Sequence, residues 1–156
     1  MTKMIHGWGP AAALALFLCA GGAAAQDHER SYYVLDVMDD LRQEIAWRQR
    51  DAPSNEGGRA YYAEMSFLAP AGMRDVVVSR PESEDTVLSV VAYCDQDCDA
   101  LRLTVFEDLA QIDTRDGRDR VAVTFDHRRG HTYTVRIGME DCDADICFFA
   151  LGAFQR

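Results

Sequence analysis

Two short loops gather most of the residue types that do chemistry. Cys94-Asp-Gln-Asp-Cys98 runs on into Asp99, and Cys142-Asp-Ala-Asp-Ile-Cys147 follows Asp141. Paired cysteines either oxidise to a disulfide or hold a metal as thiolates. The aspartates alternate: Asp95, Asp97 and Asp99 in one loop, Asp141, Asp143 and Asp145 in the other. Closely spaced carboxylates of this kind can supply several of the oxygens that calcium needs. They can equally accept backbone N–H groups and shape turns. An EF-hand is excluded. Counting from Asp95, the sixth position is Ala100 where that loop needs glycine, and the twelfth is Phe106 where it needs glutamate.

The cysteine count bears on compartment. The chain has 5 cysteines. Cys19 falls in an apolar run, Ala11–Ala20, that follows Lys3 and His6 and precedes Ala23-Ala24-Ala25. This is the pattern of an export signal, and cleavage is expected after Ala25. Cys94, Cys98, Cys142 and Cys147 then remain, an even number, which reads as two disulfides in an exported protein. Three connectivities are open. The local one, Cys94–Cys98 with Cys142–Cys147, needs the least ordering of the chain. A four-cysteine zinc site is the rival, although both spacings are looser than a CxxC knuckle.

Catalytic patterns are sparse. No serine sits in a G-x-S-x-G elbow. His127 and His131 flank Arg128-Arg129-Gly130 in a turn, as a metal-binding pair or as a solvated loop. Arg128 and Arg129, with Arg115, Arg118 and Arg120, either form a basic patch or pair with Asp116, Asp119 and Asp126. The formal net charge is −10, which argues against nucleic acid as a partner, because that binding rests on basic neutralisation of phosphates.

The elements that must position these loops follow from periodicity. Residues 1–25 are expected as the signal peptide, and residues 26–51 as an amphipathic helix. Val34, Met38, Leu41 and Ile45 form its apolar seam, widened by Tyr33, Val37 and Trp47. Asp36, Asp39, Asp40, Arg42, Glu44 and Arg48 fill the other face. The seam either packs on the domain's own sheet or serves docking or dimerisation over residues 27–50. Residues 52–59 form a linker rich in Pro, Ser, Asn and Gly.

Residues 60–156 read as strands and turns. Strands are expected at 60–68, 74–79, 86–93, 101–106, 120–125, 131–139 and 147–154. Val121, Val123 and Phe125 alternate inward, as do Tyr133, Val135, Ile137 and Met139. Residues 107–119 mix charge with Gly117 and are expected to be exposed. Short strands at regular spacing predict a mainly β protein: an antiparallel, jelly-roll-like β-sandwich preceded by one N-terminal α-helix.

The order of these features resembles the bacterial pre-peptidase C-terminal (PPC) domain and small exported proteins built on it. The residues that carry the resemblance are Phe67-Leu-Ala-Pro-Ala-Gly72, Cys94-Asp-Gln-Asp-Cys-Asp-Ala-Leu101-Arg-Leu103 running on to Phe106 and Asp108, and Gly130-His-Thr-Tyr133-Thr-Val135-Arg-Ile137. It spans roughly residues 64–154. Arg102 stands where the family often has an aspartate. The resemblance implies a non-catalytic accessory module associated with secretion and with binding of surfaces or polymers, in some relatives with calcium.

The expectation is therefore an exported, non-catalytic binding or accessory sandwich, periplasmic or secreted, stapled by two disulfides. Its partner would be a protein or a surface polymer, with no stable membrane insertion after cleavage. The alternatives are a calcium-dependent adhesion or stabilisation domain, with calcium the one cofactor in view, and a small exported enzyme inhibitor.

Overall fold

Eight strands follow one helix in a computed structural model that describes residues 22–53, 57–79 and 85–156. The expected signal peptide lies mostly outside the described residues. The chain divides into two units, Met1–Ser31 and Tyr32–Arg156, and the second holds the sandwich. Helix α1 spans Gly22–Arg50. The strands are β1 (Arg59–Leu68), β2 (Met73–Ser79), β3 (Thr86–Cys94), β4 (Cys98–Glu107), β5 (Ala110–Gly117), β6 (Arg120–His127), β7 (Tyr133–Cys142) and β8 (Cys147–Gln155). No helix among the described residues is long and apolar enough to cross a membrane.

The strands form two four-stranded antiparallel sheets, ordered β1-β8-β3-β6 and β2-β7-β4-β5. The first is called the covered sheet below and the second the bare sheet. Apart from the β4–β5 hairpin, every connection crosses from one sheet to the other. This interleaving is the double-sheet jelly roll. The expected architecture is therefore the observed one.

Alternation explains the core. Side chains at every second strand position point inward. Leu101, Leu103 and Val105 on β4 are buried, as are Val121, Val123 and Phe125 on β6. So are Tyr133, Val135, Ile137 and Met139 on β7, and Phe149, Leu151 and Ala153 on β8. These residues form one cluster with Val76, Val78, Leu88, Val90 and Ala92. Val77, between two buried valines, is exposed.

The 107–119 stretch corrects an expectation. It is exposed, as its charge predicts, yet β5 is an edge strand paired with β4, with one shift of register at Ile112. A strand open to water on its faces needs no apolar alternation, so periodicity has nothing to register. The two residues between β4 and β5 are Asp108 and Leu109, and Asp108 takes a φ of 54°. Its backbone N–H donates to Thr132 O (2.7 Å), and its Oδ1 accepts the Thr132 N–H (2.9 Å).

Helix α1 also needs a correction. From Tyr32 onward it lies on the outer face of the covered sheet, where Val37 and Leu41 meet Ala150, with Ile45, Tyr93 and Phe148 around them. The buried stripe is Val37, Leu41, Glu44 and Arg48. Val34, Met38 and Ile45 are only half-buried. The contact face is thus rotated from the apolar seam, and two charged residues assigned to solvent lie inside. Gly152 permits the close approach, since a Cβ there would sit 2.7 Å from Leu41 Cδ1.

Candidate functional site

The two cysteine loops meet at one end of the sandwich. The disulfides are Cys94–Cys98 and Cys142–Cys147, the local pairing. Cys98 is paired with Cys142 across β4 and β7. The Asp143 N–H donates to Asp97 O at 2.8 Å. The loops therefore brace each other as well as being closed within themselves.

The six aspartates occupy different surroundings. Asp95 is 3% exposed. Its Oδ2 accepts the Phe148 N–H at 2.7 Å, and its own N–H donates to Phe148 O at 3.1 Å. This exchange ties the first loop to the start of β8. Burial pushes the Asp95 carboxyl above its ordinary value, against the Phe148 hydrogen bond that opposes the rise. Asp99 is exposed and bonds Arg118 Nη2 at 2.9 Å. Asp141 Oδ1 accepts the Cys142 N–H at 3.0 Å. Asp97 is half-buried, while Asp143 and Asp145 are exposed. Among the described residues, no three His, Cys, Asp or Glu side chains gather closely enough to hold a metal ion.

The histidines part company. His127 is buried at the end of β6, its ring 4.8 Å from that of Tyr133, so the solvated-loop expectation is corrected for this residue. His131 Nδ1 and Asp108 Oδ2 are 2.9 Å apart, which locks the β4–β5 turn against the β6–β7 turn. The arginines named with them form no single patch. Arg118 pairs with Asp99 and Asp119, Arg115 with Asp113, and Arg120 with Glu44. The Arg129 N–H donates to Asp85 Oδ1.

Sequence reasoning missed a second polar centre, under the C-terminal half of α1. Glu44 is its hub. Oε1 accepts from Arg48 Nε (2.7 Å) and from Arg120 Nη2 (3.2 Å), and Oε2 accepts the Tyr93 hydroxyl (2.6 Å). Arg120 Nε in turn donates to that hydroxyl at 3.1 Å. The Arg48 guanidinium lies 4.5 Å over the Phe154 ring, a cation–π contact. Burial by itself would raise the Glu44 carboxyl. The hydrogen bonds from Tyr93 and Arg48, with the charges of Arg120 and Arg48, outweigh it and hold Glu44 below its ordinary value. Tyr93 is pushed up to about 12, first by burial and then by the Glu44 carboxylate it serves.

No local motif announces this centre. Glu44 and Arg48 are four apart on one helix, a spacing usual for an exposed pair. Tyr93 and Arg120 are partners in register across β3 and β6. The one available signal was the outward turn of Tyr93 in an otherwise apolar strand.

The fold defines a class: a disulfide-closed jelly-roll sandwich with a helix across one sheet. The sequence matches no protein-family model and no curated protein. The structure is similar to the crystal structure of Yersinia pseudotuberculosis-derived mitogen (YPM), with a TM-score of 0.51. The match covers 64% of this chain and 87% of that one, at 10% sequence identity. Identity this low makes it a likeness of fold. The PPC resemblance is thereby reduced to its coarser content, a β-sandwich.

Proposed function

We propose that the protein is an exported, non-catalytic sandwich that works in the periplasm or outside the cell as a binding or accessory module of PPC-like type. The observation that carries the reading is the pair of mutually braced disulfide loops. Disulfides persist in oxidising compartments and are rare in the cytosol. The export pattern before Ala25 points the same way.

The non-catalytic part rests on what the polar side chains do. His131 and Asp108 join two turns, and Asp95 satisfies the backbone of β8. These are structural duties. The partner in this reading is a protein or a surface polymer.

Cell fractionation of the full chain, with thiol titration after denaturation without reductant, tests the compartment. The expected result is exported protein with no titratable thiol at Cys94, Cys98, Cys142 or Cys147. Cytosolic protein with all four free overturns it. Turnover of a peptide or glycan panel, abolished by one point mutation, overturns the non-catalytic part. Melting with calcium and with chelator reports on the aspartate loops: coincident curves leave them as turn formers, and a rise with calcium makes them a site.

A further inference from the structure

Among the described residues the two sheets end in four edge strands, β1 and β6 in the covered sheet, β2 and β5 in the bare one. An open edge invites another chain to pair with it, and natural sheets guard against this with charges and with breaks in the strand. Three of the four edges are guarded. β6 exposes Arg120 and Asp126, and β5 exposes Arg115 and Asp116. β2 exposes Arg74 and Asp75 and shifts register between Val77 and Ser79.

The edge of β1 is guarded only at its start. A register shift falls between Ala60 and Tyr62, and there the Tyr61 hydroxyl reaches across to Val78 O at 2.6 Å. From Tyr62 to Leu68 the strand pairs with β8 without a break. The exposed residues of this stretch are Ala63, Met65 and Phe67, opposite Gly152, Ala150 and Phe148. Met65 is 40% and Phe67 56% exposed, and the Phe67 ring meets the Phe148 ring edge-on. The one charged residue of the stretch, Glu64, is already paired with Arg74.

Helix α1 continues this apolar surface. Asp36 and Glu44 reach Gln96, Tyr93 and Arg120, on the β3 and β6 side. The opposite flank of the helix, on the β1 side, carries Val34, Met38 and Ile45, all half-buried. That flank is the part of the apolar seam that the covered sheet leaves incompletely packed.

We propose that β1 pairs antiparallel with β1 of a second copy, joining two covered sheets into one of eight strands. The two-fold axis passes through Met65. Ala63 then lies opposite Phe67 of the other copy, so the smallest exposed residue receives the largest. Glu64 lies opposite Ser66, and Tyr62 opposite Leu68. Moving the axis to Glu64 sets that carboxylate against its copy, which is unfavourable between paired strands. Moving it to Ser66 sets Glu64 against Leu68 and leaves Ala63 beyond the end of the partner strand. The sequence of β1 therefore fits its own reverse in one register, as an isologous contact requires. The pairing does not depend on the compartment in which the protein works.

Sedimentation equilibrium of the oxidised full chain should give a reversible dimer. Met65→Lys sets two like charges face to face on the axis and should weaken self-association about tenfold or more. Phe67→Lys should act in the same direction and serves if Met65→Lys does not fold. Val77→Lys, on the outer face of β2, should leave it unchanged. Register is read by oxidative cross-linking in a Cys19→Ser chain. Met65→Cys should cross-link two copies, since directly opposed residues lie within disulfide reach. Phe67→Cys should not, because the two Phe67 positions are offset by about 14 Å along the strands. A monomer overturns the proposal, and so does a dimer that persists unchanged in the folded lysine variants or cross-links through Phe67→Cys and not through Met65→Cys.

Discussion

The two outer faces of the sandwich are built from similar materials and do different work. Both carry arginines and carboxylates projecting from antiparallel strands. On the bare sheet, Arg102 reaches Asp116 and Glu140, and Arg136 reaches Asp75, in a ladder open to water. On the covered sheet, α1 lies over β8 and β3, and one carboxylate holds two arginines and a tyrosine. The difference is solvent. An exposed ion pair is screened and is worth about 0–1 kcal/mol. A buried one is costly to break, because the partner left behind is unsatisfied. Covering one face therefore turns a common side-chain pair into a fixed framework.

The sharpest way to break the contrast is to lift the helix. Gly152→Val places side-chain atoms where Leu41 and the Phe154 ring already sit. It should cost about 3 kcal/mol, the upper end of the range for overpacking, read by chemical denaturation. A cost below about 1 kcal/mol would show that α1 is only loosely held. Next comes the hub. Glu44→Gln keeps the shape and removes the charge, and should cost about 1–2 kcal/mol. Asp75→Asn on the bare sheet should cost less than about 1 kcal/mol. Equal costs would erase the distinction between the faces.

Acid sharpens the same comparison. Glu44 has a folded-state pKa below its ordinary 4.5, and Asp75 one below 3.8, held down by its hydrogen bond from Arg136. Each contributes stability that is fully present above the unfolded value and is lost as pH falls through the folded value. The Glu44 part should persist in 1 M salt, where the screening length is about 3 Å, and the Asp75 part should shrink. Denaturation curves between pH 5 and 2, at low and high salt, read this out. Alkali acts oppositely through Tyr93. Its stabilisation is present below pH 10 and is lost as pH rises through about 12, which an ultraviolet phenolate titration would follow. The smallest effect belongs to Gly138→Ala on the bare sheet. There the nearest atom to an added Cβ is Glu140 Oε1 at 3.2 Å, the end of a flexible side chain, and a change of about 0.5 kcal/mol or less is expected.

The sandwich was largely legible from sequence, and the covered face was not. Val121-x-Val123-x-Phe125 and Tyr133-x-Val135-x-Ile137-x-Met139 announce their strands because one face is dry and the other wet. The cysteine loops were recognisable as paired devices, and the structure brings them to one end. β5 escaped because both its faces are largely wet. The Glu44 centre escaped for the opposite reason. Burial was read from apolar side chains, while this contact is made partly by an ion pair. Its members lie at positions 44, 48, 93 and 120, and only folding makes them neighbours.

The pairing of β1 with β8 has a consequence for how the chain reaches this form. Arg59 lies opposite Gln155, and Leu68 opposite Cys147. The first strand has no partner in its own sheet until the last one arrives. Contacts between distant parts of a chain form slowly, since the intervening loop must close before they can reward it. β1 therefore joins the covered sheet only once β8 is in place, whereas β3 with β6, and the whole of the bare sheet, can pair before it.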